Sequence, residues 1–134
     1  MIRISNLRIE HSVPFKYGHP QTRVICDMEA EFTDVNQFWF SVDDKYGDWL
    51  TYDVYDAFLV ALLYPAMYYG EDIDIRGNVS KKLLHNIKHY VQGLILAYDS
   101  NFHKIDIMVK GFSNAVKTDF LHVGTGFSGG IDSF

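Results

Sequence analysis

Cysteine is nearly absent: Cys26 is the only one in 134 residues. That excludes an intrachain disulfide framework and a multi-cysteine zinc site, and makes a reducing interior the natural compartment. Proline is scarce as well. Two of the three prolines fall in His11–Pro20, together with Gly18, which marks that segment as a loop. No long apolar run exists. The longest, Ala57 to Met67, falls well short of the roughly 20 residues a bilayer requires. The stretch Met1 to Glu10 alternates apolar and charged residues, unlike the apolar core of a secretory leader. The expectation is a cytoplasmic protein with no membrane partner. Positive charge is in deficit, with 12 basic against 17 acidic residues and a net charge of −5. Wholesale attraction to a nucleic-acid backbone is therefore not indicated, although such a sum leaves room for a local basic patch.

What is present is ordinary globular material. Apolar residues make up 48% and charged residues 22%, and ten Phe, nine Tyr and two Trp supply bulk for a core. The first third reads as strands. Ile2, Ile4, Leu7 and Ile9 suggest a half-buried strand with a phase slip at Ser5-Asn6 that marks a bulge or bend. From Thr22 to Phe32, Val24, Cys26, Met28, Ala30 and Phe32 share one face, while Arg23, Asp27, Glu29 and Glu31 lie mostly on the other. Phe38 to Val42 is the expected partner strand, Asp43 to Asp48 a solvated turn, and Trp49 to Tyr52 a further short strand.

The period then changes. Ala57, Leu59, Val60, Leu62, Leu63, Ala66 and Met67 predict a largely buried helix from about Tyr55 to Tyr69, stopped at Gly70 and bent by Pro65. Asp72 to Arg76 reads as a strand and Gly77-Asn78 as a turn. Ser80 is placed to cap a second helix whose stripe is Leu83, Leu84, Ile87, Val91, Leu94, Ile95 and Tyr98. Lys81, Lys82, Asn86, Lys88 and Gln92 lie off it. Strands are expected again at Lys104 to Val109 and Phe120 to Val123. The resulting class is α+β, a mainly antiparallel or mixed sheet with two helices. Lys110 to Thr118 is the best linker, which divides the chain into residues 1–117 and 118–134.

The glycine-rich end carries the chemistry. After the expected strand comes Gly124-Thr125-Gly126-Phe127-Ser128-Gly129-Gly130-Ile131-Asp132-Ser133-Phe134. Small residues let backbone amides approach an anion closely, and the hydroxyls of Ser128 and Ser133 are available as donors to phosphate oxygens. The Asp132 carboxylate suits a magnesium ion or the orientation of those donors. Three readings of the segment stand side by side: a phosphate loop, a dinucleotide glycine pattern (Gly124 to Gly129), and a flexible glycine-serine tail. The ribose-binding acid of a dinucleotide site would fall about 20 residues on, past Phe134.

Ser128-Gly129-Gly130-Ile131-Asp132-Ser133 resembles the Ser-Gly-Gly-x-Asp-Ser loop of the PP-loop ATP pyrophosphatases. Asp56 to Met67, Gly70 to Ile73 and Val79-Ser80 are similar to a region preceding that loop in relatives of 7-cyano-7-deazaguanine synthase that have an added N-terminal domain. The resemblance implies that residues 118–134 open an α/β PP-loop domain with a first strand and phosphate loop. It implies that Ser128, Gly129, Gly130, Ile131, Asp132 and Ser133 contact ATP, with Asp132 near Mg2+, and that the enzyme adenylates a substrate and releases pyrophosphate. Such a domain needs well over a hundred further residues, so residues 1–117 are expected to be the N-terminal domain of a longer protein. That domain is expected to serve a protein partner or a macromolecular substrate, and the chain alone to be inactive. The alternative is a non-catalytic recognition or assembly domain.

Other constellations are weaker. His85 and His89 sit four apart, as a metal pair does, but without the glutamate of a zinc protease motif, and a solvated helix face is the expectation. Lys81, Lys82 and Lys88 beside them give at most a modest basic face for RNA or another phosphate-bearing partner. Tyr64, Tyr68 and Tyr69 with Trp39 and Trp49 are expected to pack rather than stack on bases. Cys26 is expected to be an inert core thiol. No Ser-His-Asp or Cys-His system is apparent, and no catalytic residue is assigned.

Overall fold

The computed structural model describes residues 1–113. Five strands form one mixed sheet: β1 (Ile2–Val13), β2 (Gln21–Glu29), β3 (Gln37–Asp43), β4 (Ile73–Ser80) and β5 (Ile107–Ser113). Their spatial order is β3-β2-β1-β4-β5. The β1–β2 and β2–β3 pairs are antiparallel, whereas β4 runs parallel to both β1 and β5. Helices α1 (Asp56–Tyr69), α2 (Lys81–Asn86) and α3 (Gln92–Tyr98) complete the α+β fold. The strand expected at Phe120 to Val123 and the loop Ser128 to Ser133 lie outside the described residues.

Period-two alternation sends Ile2, Ile4, Val24, Cys26, Met28, Ile73, Ile75 and Ile107 to one side of the sheet, where Phe58, Leu59, Leu62, Leu63, Ala66 and Met67 of α1 meet them. The opposite side carries charge. Arg3 bridges Glu29 and Asp74 at 3.2 Å each, and Arg76 reaches Asp74 at 2.8 Å. Asn6 and, after it, Arg8 donate to Asp27, which holds that carboxyl below its ordinary value. Arg23 lies over the Trp39 ring at 4.2 Å.

Several expectations change. β1 continues to Val13, so the loop begins later than His11. Trp49 to Tyr52 is not a strand; Asp44–Trp49 winds into a 3-10 helix instead. The turn is not simply solvated, because Asp44 accepts hydrogen bonds from Thr22 Oγ1, Ser12 Oγ and the Ser12 amide. Gly77-Asn78 is not a turn. β4 passes through it with an irregularity between Ile75 and Asn78 and keeps its partner β5.

The second helical segment shows the largest departure. A π-turn at Ile87–Val91 separates α2 from α3 and adds a residue to the turn. The apolar stripe is thereby rotated: Leu94 and Tyr98 end 71% and 89% exposed, and Gln92, expected on the outside, is buried. Its amide faces the backbone of Ile105, donating to the carbonyl at 3.2 Å and accepting from the amide at 3.0 Å. Ser80 caps nothing with its side chain; its amide and hydroxyl both donate to the Asp56 carboxylate, tying the start of α2 to the start of α1.

Glu71, just past Gly70, is a buried carboxylate with three partners. The amides of Glu31 and Phe32 donate to it at 3.2 and 3.1 Å, and the Met1 ammonium lies 2.8 Å away. Burial opposes its charge, but the ammonium and the amides prevail and hold its pKa below the ordinary value. A depressed carboxyl contributes stability above its unfolded pKa, about 4.3, and loses it as pH falls through the lower folded value. Glu71→Gln is therefore expected to lower the melting temperature at pH 7 and to narrow the gap to wild type in acid. Thermal melts from neutral to acidic pH check this; a constant gap would remove Glu71 as the cause.

Candidate functional site

The parallel pairing of β1 with β4 covers only Ile2–Ile4 against Ile73–Ile75. Past that point the strands part. β1 bulges between Ser5 and Arg8, with Asn6 at φ 53°, and β4 is irregular at Arg76-Gly77. Separating strands leave backbone groups to be satisfied. Tyr55 does this for both: its amide donates to the Asn78 carbonyl at 2.9 Å, and its phenol oxygen accepts from the Leu7 amide at 3.0 Å. Burial raises the pKa of this phenol, so it stays protonated at neutral pH.

Outside Tyr55 lies a cleft of about 470 Å3 whose wall includes Asn6, Tyr52, Asp53, Arg76, Asn78 and Lys110. That volume falls in the range of small-molecule sites. Arg76 and Lys110 supply cationic donors, Asn6 and Asn78 supply amides, and the half-exposed Tyr52 supplies a ring face. The lining holds no Ser, Cys or His nucleophile. With two cations, Arg76 and Lys110, against one carboxylate, Asp53, its chemistry suits holding an anionic or planar polar group.

The residues singled out by sequence fare differently. Ser128, Gly129, Gly130, Ile131, Asp132 and Ser133 lie outside the described residues. His85 and His89 are both exposed, with ring centroids 4.4 Å apart, but among the described residues no group of three His, Cys, Asp or Glu is arranged to hold a metal ion. Cys26 is buried and its thiol is pushed up to about 12, chiefly by burial, so it is unreactive at neutral pH. The aromatic set is more exposed than expected: Trp39, Trp49, Tyr64, Tyr68 and Tyr69 are all substantially solvent-facing. Tyr69 stacks on Phe32, and Tyr64 and Tyr68 meet Phe102 edge-on. Among the described residues no helix is long and apolar enough to cross a membrane.

The cleft itself was not anticipated from sequence. Its signals were the phase slip at Ser5-Asn6 and the Gly77-Asn78 pair. Both are visible in the string, yet only a three-dimensional register shows that the two irregularities face one another. No protein-family model, curated protein or solved structure matches the chain.

Proposed function

We propose that this chain is the N-terminal portion of an ATP-dependent enzyme of the PP-loop type. In this reading the described α+β domain recognises a macromolecular substrate or a partner, while Ser128 to Ser133 grip Mg-ATP. The observation that carries it is the complete Ser-Gly-Gly-x-Asp-Ser pattern at 128–133. Amides around Gly129 and Gly130 would hold phosphate oxygens, the hydroxyls of Ser128 and Ser133 would donate to them, and Asp132 would orient those donors or hold Mg2+. Fixed donors of that kind stabilise charge that develops on the transferred phosphates. The chemistry is adenylation of a substrate oxygen with release of pyrophosphate.

Asp132→Ala and Ser133→Ala in the complete protein are each expected to reduce ATP-dependent pyrophosphate release by at least about 100-fold, the scale of losing one such electrostatic contact. Turnover equal to wild type would discard the assignment. A second reading, a recognition or assembly domain with no chemistry of its own, is favoured by one observation. The polar cleft beside Tyr55 has donors and a ring face but no Ser, Cys or His nucleophile. If the complete protein releases no pyrophosphate with any acceptor, this second reading replaces the first.

A further inference from the structure

Helix α1 has the sequence DAFLVALLYPAMYY, with one charge in its 14 residues, at its first position. A helix apolar on every side is ordinarily covered on every side. Among the described residues only one side is. Phe58, Leu59, Leu62, Leu63, Ala66 and Met67 enter the core, whereas Ala57, Val60, Ala61, Tyr64 and Tyr68 form an exposed stripe at helical spacing. Phe40 and Leu83 flank it, making a shallow and almost wholly apolar groove with Ala57, Val60 and Ala61, in which Asp56 is the one charged residue.

We propose that this outer face of α1 is a self-association surface, on which a second copy of the chain packs its own α1 antiparallel about a two-fold axis. Three properties select a second copy. First, a molecule of net charge −5 repels its own kind except across an uncharged patch, and the stripe is uncharged. The antiparallel arrangement also sets Asp56 of each copy beside the uncharged Tyr68 end of the other, so like charges do not meet and the helix dipoles oppose favourably. Second, the face is self-complementary. Ala57 and Ala61 leave a shallow track for the partner's Val60 and Tyr64, and Pro65 frees the Ala61 carbonyl to accept from a hydroxyl. Third, the area suffices. With Val60 56%, Tyr64 57% and Tyr68 51% exposed, the stripe and its flanks offer roughly 500 Å2 per copy, hence about 1,000 Å2 in a two-fold contact, the lower bound of a specific interface.

Sedimentation equilibrium on the full chain tests this. A monomer–dimer equilibrium with a dissociation constant of roughly micromolar order is expected for so small an apolar contact. Val60→Asp, at a solvent-exposed position, is expected to leave the melting temperature near wild type and to weaken dimerisation by at least about tenfold, because each contact then buries charge twice. Tyr98→Asp, at an 89% exposed position on α3, is expected to leave the dimer unchanged. A monomer up to several hundred micromolar overturns the proposal. So does a dimer that survives Val60→Asp, or one that Tyr98→Asp dissolves.

Discussion

Gly77→Ala is expected to destabilise the domain by about 3 kcal/mol, the upper range of overpacking effects. A Cβ at this position would lie 2.1 Å from Cε2 and 2.7 Å from Cδ2 of Tyr55. Neither partner can yield cheaply. Gly77 sits in β4, held by β5 on one side, and the Tyr55 ring is 5% exposed with its phenol oxygen bonded to Leu7 and its amide to Asn78. Moving the ring would unfasten a residue that joins the parted strands. A fall in melting temperature of roughly 10 °C follows for a domain of this size. The cause is separable by a double-mutant cycle. On a Tyr55→Ala background, itself costing about 3–5 kcal/mol, the alanine at 77 should cost well under 1 kcal/mol. If the two losses add in full, the ring is not what the glycine accommodates.

The second large effect belongs to Gln92. Replacing it by leucine keeps the bulk but strands the amide and carbonyl of Ile105, which is itself only 4% exposed. Each unsatisfied buried group costs about 1–3 kcal/mol, so a loss of about 3–4 kcal/mol is expected in urea unfolding. Gln92→Glu is more diagnostic. Ionised, it removes the donor and buries a charge; protonated, it restores one donor and one acceptor in the same shape. Burial should raise the pKa of the new carboxyl, so the variant is expected to be weak at pH 8 and to recover toward wild type as pH falls through that raised value. A deficit independent of pH would mean that shape, not hydrogen bonding, is what Gln92 provides.

Much of the fold is legible in the sequence because the periods of two and 3.6 are strong where a face is buried. β2 shows this through Val24, Cys26 and Met28, and α1 through Leu59, Leu62, Leu63 and Ala66. Legibility fails where one added residue resets the count. The π-turn at Ile87–Val91 rotates everything after it, so Gln92 turns inward and Tyr98 outward, and nothing local in His-Asn-Ile-Lys-His announces the insertion. Gly77 misled for another reason. Glycine marks a turn or a close approach equally well, and only the position of Tyr55 distinguishes them. In α1 the uniformity of the apolar residues hid which side would remain uncovered. The cleft residues Arg76 and Lys110 are ordinary surface cations in the string. They are brought to one cleft only through the parting of β1 from β4.

The place of β1 in the sheet bears on how the chain acquires its structure. Its two neighbours lie at very different distances along the sequence: Arg3 pairs with Glu29, 26 residues away, and with Asp74, 71 residues away. The meander β1-β2-β3 can close early, since its turns are local, but its β1 edge then stays open until α1 has formed and delivered β4. During ribosomal synthesis at about 5–20 residues per second, that edge waits for several seconds with its amides and carbonyls unmatched. The cations Arg3 and Arg8 project from this strand, and charge on an open edge discourages pairing with a foreign strand. Arg3, which bridges to Asp74 once β4 is in place, thus guards the edge while the sheet is still half built.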